Sequence, residues 1–393
     1  MTRQWEYKRI GDVCIVERGG SPRPIDDYIT EDPDGVNWIK IGDTTESMFI
    51  TQTAQKIKPD CMKKSRYVQP GDFLLSNSMS FGRPYILKID GCIHDGWLVL
   101  RDKDGLFDKR FLYYYLSAKP TYEKFKQMAV GGVVNNLNSE MVRKVEVPIP
   151  RREEQTEIAD LLDKINNTVI HRRQQLSTLD TFIKARFFEM FGDPEYNNMG
   201  WPIRNLSDLC NVGSSKRIYQ EEQTTDGVPF WRISDLVTKM DTGNVESSLY
   251  IPESRYAELK TQDLVPEPGD ILVTSRGTLG RCYIVSNDDR FYFQDGMISW
   301  LSKYSGEITP LYIQYLFDMP GFRKQIDSMQ AGSTVAYLSI AMLKRLDIML
   351  PDRTIQNQFS DFVAQVDKSK LSIQASLDQL EILKQSMIQK YFG

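Results

Sequence analysis

The sequence predicts an α+β protein in which two strand-rich globular modules are joined and spaced by two long antiparallel coiled-coil helices. Three observations lead to this fold class: an internal repeat of roughly 200 residues, short strand-like runs in each repeat, and a heptad pattern that closes each repeat. They divide the chain into a first module over residues 1–150, a central spacer helix over 151–192, a second module over 193–350 and a C-terminal spacer helix over 351–393.

The internal repeat consists of sequence blocks that recur in the same order in both halves. The matched blocks are residues 5–16 with 201–212, 35–43 with 227–235, 70–75 with 268–273, 82–86 with 280–284, and 95–96 with 295–296. From Gly131 and Gly332 onward the shift is constant, and it carries Phe191-Gly192 onto Phe392-Gly393. One such match is compatible with chance, but an ordered series with small insertions indicates a duplication.

Within each module the sequence predicts mainly strands with some helix. The Pro-Gly-Asp strings at Pro70 and Pro268 predict type II turns, because proline presets φ and the following glycine supplies a positive φ. The short apolar runs typical of strands in the first module are residues 39–41, 73–75, 97–100 and 145–149. The longer stretches that predict helix are residues 109–128 and 310–329.

The closing segment of each repeat has apolar residues at alternating spacings of four and three, sustained for roughly four heptads. The predicted seam positions are Ile158, Leu162, Ile165, Val169, Leu176, Leu179 and Ile183 in the first helix, and Phe359, Val363, Val366, Ile373, Leu377, Leu380 and Met387 in the second. Cations interrupt both seams, at Arg172, Arg186, Lys370 and Lys384. They either set the register at a cost in stability or extend to solvent at the seam edge. Two separate amphipathic helices, each on its own module, are the alternative to a coiled coil.

The amino-acid composition indicates which classes of protein the chain can belong to. With 393 residues, 41% hydrophobic and 26% charged, the chain is typical of a soluble protein with two or three domains. Its first residues are polar and charged, so the expected location is the cytoplasm. Five scattered cysteines without a C-x-x-C pair, and only two histidines, argue against a metal site or a Ser-His-Asp triad. The net charge of −4 is unusual for a free-standing nucleic-acid binder, unless charge is segregated or a partner contributes basic surface.

Two equivalent helices that pair antiparallel create a pseudo-twofold axis, which places the two modules in inverted orientation. A spacer with two related but non-identical modules suits two separated, inverted features on one extended ligand. Double-stranded DNA is such a ligand, because its strands are themselves related by twofold axes.

The string Phe187-Phe188-Glu189-Met190-Phe191-Gly192-Asp193-Pro194, followed by Gly200-Trp201, resembles the centre of a specificity (S) subunit of type I restriction-modification systems. The Pro-Gly-Asp blocks, the helix start at Glu154-Gln155 and the terminal Tyr391-Phe392-Gly393 resemble the same family. The resemblance implies two target-recognition domains, each recognising one half of a bipartite asymmetric DNA site. It also implies helices that fix the spacing and bind methyltransferase (M) subunits, two of them expected, with restriction (R) subunits joining through that M–S core.

The sequence offers no catalytic residues. It contains no Asn-Pro-Pro-Tyr, no Phe-x-Gly-x-Gly and no phosphate-binding G-x-x-x-x-G-K-[ST] loop. We therefore expect a non-catalytic subunit that binds no cofactor or metal itself, with S-adenosylmethionine, ATP and Mg on partner subunits. The alternatives are a fused methyltransferase or nuclease, a coiled-coil scaffold with two protein-binding modules, and a recognition subunit of another bipartite methyltransferase or restriction system.

The duplication also predicts DNA-contacting residues, because loops that differ between the copies are suited to different bases. Asn77 and Arg276 are the base-contact candidates, since Asn suits adenine and Arg suits guanine; turn formation is their alternative role. Their loops add Ser76, Ser78, Thr274 and Ser275. Among the remaining candidates, Arg83 and Arg281 suit a phosphate contact or an ion pair with the shared Asp, and Lys40 and Arg232 suit a phosphate contact or simple exposure to solvent. His94 and Gln294 suit a base contact, although His94 is equally suited to a hydrogen bond within its turn. Candidates for DNA contact in the last pair of loops, which otherwise only connect a helix to a strand, are Asn135, Asn136, Ser333, Thr334 and Tyr337.

Overall fold

The computed structural model of the chain describes residues 5–77, 82–129, 136–330 and 336–393. The chain forms two compact units: unit 1 contains residues 1–173 and 375–393, and unit 2 contains residues 174–374. This division differs from the four predicted segments, because each unit combines one module with part of each long helix.

Unit 1 is built from short strands and a few helices. Its strands are β1 (Tyr7–Arg9), β2 (Cys14–Arg18), β3 (Ile29–Thr30), β4 (Val36–Ile39), β5 (Phe49–Ile50), β6 (Gln55–Ile57), β7 (Arg66–Val68), β8 (Phe73–Ser76), β9 (Pro84–Leu87), β10 (Gly91–Ile93), β11 (Trp97–Asp102) and β12 (Glu146–Pro148). Its helices are α1 (Ile10–Val13), α2 (Lys109–Ser117), α3 (Lys119–Ala129), α4 (Ser139–Lys144) and the first part of α5 (Arg152–Phe191).

Unit 2 repeats this arrangement with two additional helices. Its strands are β13 (Ile203–Asn205), β14 (Asn211–Gly213), β15 (Val228–Trp231), β16 (Tyr250–Ile251), β17 (Ile271–Thr274), β18 (Cys282–Ile284), β19 (Tyr292–Phe293), β20 (Ile298–Ser302) and β21 (Asp347–Met349). Its helices are α6 (Leu206–Leu209), α7 (Ile233–Thr242), α8 (Glu253–Thr261), α9 (Pro310–Asp318), α10 (Pro320–Ser328), α11 (Ile340–Lys344) and the first part of α12 (Arg353–Phe392).

The two modules share one sheet topology. In unit 1, β11 lies between β2 and β8 and pairs antiparallel with both; in unit 2, β20 lies in the same way between β14 and β17. Each module also has a parallel pair, β4 with β10 and β15 with β19. The mainly apolar strands β8 and β17 are buried along their whole length. The strand-rich character predicted for both modules is confirmed.

The turns before β8 and β17 have the geometry that their sequence predicts. Gly71 and Gly269 have φ values of 92° and 93°. The N–H of Asp72 donates to the Gln69 carbonyl at 2.9 Å, which closes the type II turn in unit 1.

The helical stretch predicted over 109–128 is two helices, α2 and α3, and its counterpart over 310–329 is α9 and α10. Ala118 and Met319 break the stretches with extended backbone, at ψ of 141° and 136°. The physical reason in unit 2 is Pro320, because a residue that precedes proline is driven out of the helical region.

Helices α7 and α8 of unit 2 were not predicted; the corresponding part of unit 1 has 3₁₀ turns and short strands. The α7 sequence has apolar residues at the helical spacing of positions 233, 236, 237 and 240, and the helix ends at Gly243 with φ of 75°. In the first copy the equivalent turn, residues 41–43, contains Gly42 and is followed by Thr44 and Thr45. Glycine and threonine both disfavour helix, so this turn does not continue into one.

The long helices α5 and α12 pack antiparallel within each unit. In unit 1, Lys384 Nζ donates to Asn166 Oδ1 at 2.6 Å, and Arg173 pairs with Glu381 at 2.8 Å. In unit 2, the rings of Phe182 and Phe362 lie 5.2 Å apart. Every predicted seam residue is buried or half-buried, and the predicted antiparallel coiled coil is confirmed. Among the described helices, none combines the length and apolarity needed to cross a membrane.

Three of the seam cations, Arg186, Lys370 and Lys384, have described polar partners inside their own units. Lys370 Nζ lies 2.5 Å from Asp180 Oδ1, and Arg186 pairs with Glu189 on its own helix at 2.7 Å. Lys384 is partly enclosed, and burial, together with the charge of Arg173, lowers its pKa despite the opposing charge of Glu381. A lysine that is bonded across the seam favours the register-setting role for Lys384.

The ends of both long helices belong to module cores. Phe392 packs edge-on against Phe111 and Tyr115 in unit 1, with centroid distances of 5.5 and 5.6 Å. Phe191 packs against Tyr312 in unit 2 at 4.9 Å. Each module core is therefore completed by the helix end that the other repeat contributes.

Candidate nucleic-acid interface

The loop after β8 and the loop after β17 are closed by the same hydrogen bonds. The Ser76 hydroxyl accepts from the Arg83 backbone N–H at 2.9 Å, and the Thr274 hydroxyl accepts from the Arg281 N–H at 2.9 Å. The glycine before each arginine has φ of 78° or 68°, which the tight return of the chain requires. Ser76 and Thr274 are both 0% exposed, so they hold the loop rather than face a ligand.

The next residue in each loop is buried as well. Asn77 is 2% exposed and its amide donates to the Asp95 carbonyl at 2.8 Å. Ser275 is 1% exposed, and its hydroxyl lies 2.8 Å from that of Ser299. These contacts favour the turn-forming alternative for Asn77, because an enclosed amide does not present its donor and acceptor to a base edge.

The backbone of the same two residues joins the first candidate loop to the second. The carbonyl of Asn77 accepts from Leu137 at 2.9 Å, and that of Ser275 accepts from Leu338 at 3.0 Å. The structure therefore brings together two segments that are far apart in sequence. The same backbone bond is made in both modules.

Arg276 is the exposed candidate of the second module. Its guanidinium lies over the ring of Tyr337, 5.4 Å from the ring centroid. Two residues that were singled out separately are thus in contact. A cation–π contact reduces the freedom of the guanidinium while leaving its N–H edge available.

Arg276 and Gln294 line one surface cleft of about 440 Å³ in unit 2, together with Arg217 and Gln223. Phe230 contributes an apolar wall. Two guanidinium groups and two carboxamides around one concave surface provide the donors and acceptors that recognise base edges.

Arg217 was not predicted from the sequence. Its Nε donates to Asp295 Oδ2 at 2.9 Å, and its side chain remains 64% exposed. In unit 1, Arg23 lies 3.7 Å from Asp95. The missed signal is a further repeat block, Gly-x-Ser-x-Arg, at residues 19–23 and 213–217.

The aspartate of the first module is held in its ionised form. The Ser21 hydroxyl donates to Asp95 Oδ1 at 2.8 Å. Burial by itself would raise the pKa of Asp95, but the Ser21 bond and the charge of Arg18 bring that pKa below its ordinary value. The carboxylate is therefore available to orient an arginine.

His94 and Gln294 occupy equivalent backbone positions. The His94 N–H donates to the Ile39 carbonyl at 3.3 Å, and the Gln294 N–H donates to the Trp231 carbonyl at 2.9 Å. His94 Nδ1 accepts from the Gly96 N–H at 2.7 Å. This bond corresponds to the turn role that the sequence left open for His94, whereas Gln294 lines the cleft.

The shared arginines Arg83 and Arg281 have local partners. Arg281 pairs with Asp241 of α7 at 2.6 Å, not with the shared aspartate. The guanidinium of Arg83 lies over the Tyr85 ring, 5.5 Å from its centroid. Both side chains retain exposed surface, and a phosphate contact from either remains a prediction.

Lys40 and Arg232 each precede an aspartate that caps a helical turn. Their backbone N–H groups donate to Asp43 at 2.7 Å and to Asp235 at 2.9 Å. The side chain of Lys40 is bonded to Gln55, and the guanidinium of Arg232 donates to Ser248 at 3.1 Å. Their predicted contact with phosphate is untested.

Four candidates, Ser78, Asn135, Ser333 and Thr334, lie outside the described residues. Asn136 is half-buried and begins the segment that joins the Asn77 loop. Within the described part of the chain, no group of three or more His, Cys, Asp or Glu residues is arranged to hold a metal ion.

Comparison with known proteins gives one consistent family. The family model of the type I restriction modification DNA specificity domain matches residues 2–180 and 198–381, one match in each repeat. A type I restriction enzyme MjaIX specificity subunit from Methanocaldococcus jannaschii is 24% identical and covers 99% of this chain and 92% of the relative.

Two solved structures share the fold over nearly the whole chain. A type I restriction-modification S subunit from M. genitalium superimposes with a TM-score of 0.55 at 16% identity, over 100% of this chain and 97% of that one. A chain solved in work on complex assembly and conformational transition of the type I R-M system gives a TM-score of 0.60 at 15% identity, over 99% and 97%.

The chain thus combines two modules of one topology, each with a polar loop frame, with two long paired helices. The chain belongs to the type I restriction modification DNA specificity family.

Proposed function

We propose that this chain is the DNA-recognition subunit of a type I restriction-modification complex, in which each module recognises one half of a bipartite asymmetric site. The observation that carries this proposal is a loop frame that both modules share, with side chains that differ between the two copies. Leu137 and Leu338 bond the same loop position in both modules, while the first loop has Ser78 where the second has the exposed Arg276. A constant frame with variable side chains suits recognition of different sequences by one fold.

The antiparallel helices α5 and α12 are proposed to fix the spacing between half-sites and to bind methyltransferase subunits, two per complex, with restriction subunits joining through this core. Exposed apolar side chains on these helices, among them Leu371 at 72% and Ile382 at 67%, support a role in subunit binding. Methylation, ATP hydrolysis and cleavage are assigned to the partners, with S-adenosylmethionine, ATP and Mg bound there.

The test is selection from random duplexes by the chain purified with its methyltransferase partners. The expected outcome is two short conserved half-sites separated by a fixed, unspecified spacer. Replacing residues 76–81 by the sequence of 274–279 is expected to change one half-site only. The reciprocal replacement is the matched variant and should change the other half-site.

Two results would contradict the proposal. A wild-type complex without sequence preference would favour a scaffold with two protein-binding modules. Changes in both half-sites after one loop replacement would refute the assignment of one module to one half-site.

A further inference from the structure

The second module contains an arginine whose orientation is fixed by a carboxylate at the edge of the cleft. Arg217 donates through Nε to Asp295, which leaves its two terminal nitrogens as a planar pair of donors. Asp295 is 21% exposed, whereas Arg217 is 64% exposed. The carboxylate is thus enclosed on the module side, and the guanidinium lies at its surface.

This arrangement suits a base edge better than a phosphate. A carboxylate bonded to the arginine offsets its positive charge and would repel a second anion at short distance. The same bond orients the guanidinium, and two parallel N–H donors match the O6 and N7 acceptors of guanine in the major groove. The neighbouring Gln294 and Gln223 add neutral donors and acceptors, which also fit a base rather than the DNA backbone.

We infer that Arg217 is a specificity-determining residue that recognises a guanine in the half-site of the second module, and that Asp295 is its positioning residue. The inference rests on the proposed function. Arg23 and Asp95 occupy the corresponding positions in the first module, but there a terminal nitrogen of Arg23, Nη2, lies 3.7 Å from Asp95 Oδ2. The Nε-bonded arrangement is therefore described for Arg217 of the second module.

The experiment uses the full chain in complex with its methyltransferase partners. Half-sites are first determined by selection with the wild-type complex and then with Arg217→Gln. Arg217→Gln is expected to remove the preference at one G·C position of one half-site and to leave the other half-site unchanged. Affinity for the preferred duplex should fall by about 10- to 100-fold, with little change on unrelated duplexes. Arg204→Gln, at an exposed position of β13, is the control.

A chemical probe tests the contact itself. A duplex with 7-deazaguanine at the assigned position lacks the N7 acceptor, so the wild-type complex should bind it about 10-fold more weakly. The Arg217→Gln complex should bind both duplexes equally. Asp295→Ala should weaken the same preference, and combining it with Arg217→Gln should cause no further loss, as expected for residues that act together.

Several outcomes would overturn the inference. A uniform loss on all duplexes with a smaller dependence on salt would identify Arg217 as a phosphate contact. Retention of both half-sites in Arg217→Gln, or an additive effect of Asp295→Ala, would also contradict it. If the wild-type complex selects no sequence, the proposed function itself fails, and this result is distinct from the others.

Discussion

Single residues connect the long helices to the modules, and the clearest example is the equivalent pair Gln155 and Gln356. Gln356 is fully buried; its side-chain oxygen accepts from the Thr309 N–H at 2.8 Å, and its amide donates to the carbonyls of Glu307 and Pro351. Gln155 makes the same set of bonds in unit 1. One glutamine thus joins the start of each long helix to its module.

We predict that Gln356→Ala lowers the free energy of unfolding by about 2–3 kcal/mol, because it leaves a buried N–H and two buried carbonyls without their partner. The measurement is urea unfolding of the full chain. Gln358→Ala, at an exposed position of the same helix, is the control and should change the value by less than about 0.5 kcal/mol. Equal effects of the two substitutions would contradict the joining role.

Comparison of the two repeats predicted which loops differ, but it did not predict which side chains of those loops are exposed. Asn77 was selected because it differs between copies, yet it is enclosed by contacts that come from Asp95 and Leu137. The repeated Gly-x-Ser-x-Arg block was an available signal for Arg217, but its pairing with Asp295 was not predictable, because only the fold brings the two residues together. Polar burial and long-range pairing depend on tertiary structure, and a single sequence does not contain a local signal for either.

At the scale of elements, the heptad pattern was the most informative feature, because a period of 3.5 residues over many turns has few interpretations. The pattern located α5 and α12 and their antiparallel pairing. The break between α9 and α10 was missed, although Pro320 is a local signal for it. Helices α7 and α8 were also missed, although the apolar residues of α7 at positions 233, 236, 237 and 240 have helical spacing.

Lys384 gives a prediction for the paired helices. Its pKa is lowered by burial, so the folded state binds its proton less strongly than the unfolded state does. The resulting destabilisation is fully present below the lowered pKa and disappears as the pH rises toward the ordinary lysine value. Lys384→Met should therefore raise the free energy of unfolding by roughly 1 kcal/mol at neutral pH, after allowance for partial exposure.

The measurement is urea unfolding of wild type and Lys384→Met at several pH values. The difference should narrow as the pH rises toward the ordinary lysine pKa, because the wild-type lysine loses its proton more readily in the folded state than in the unfolded state. Lys368→Met, at an exposed position of the same helix, should show neither the gain nor the pH dependence. A stability gain that is independent of pH would show that side-chain packing, not charge burial, is responsible.

At the scale of the whole molecule, each unit is assembled from both repeats. Unit 1 needs residues 375–393 as well as residues 1–173, and Phe392 is part of its core. The matching position in the first repeat is Phe191, which occupies the core of unit 2. In a single repeat, therefore, the module core lacks the helix end that fills it in the full chain. The repeat's own helix end likewise lacks the core into which it packs.

We predict that residues 1–192 expressed alone form a homodimer, in which Phe191 of each copy fills the position that Phe392 fills in the full chain. The driving force is burial of this aromatic side chain and of the apolar helix seam, which a monomer would expose. Sedimentation of the fragment should give twice the monomer mass. Phe191→Ala should shift it toward monomer, whereas Lys184→Ala, an exposed change on the same helix, should not. A folded, monomeric fragment would contradict the requirement for a helix end from a second repeat.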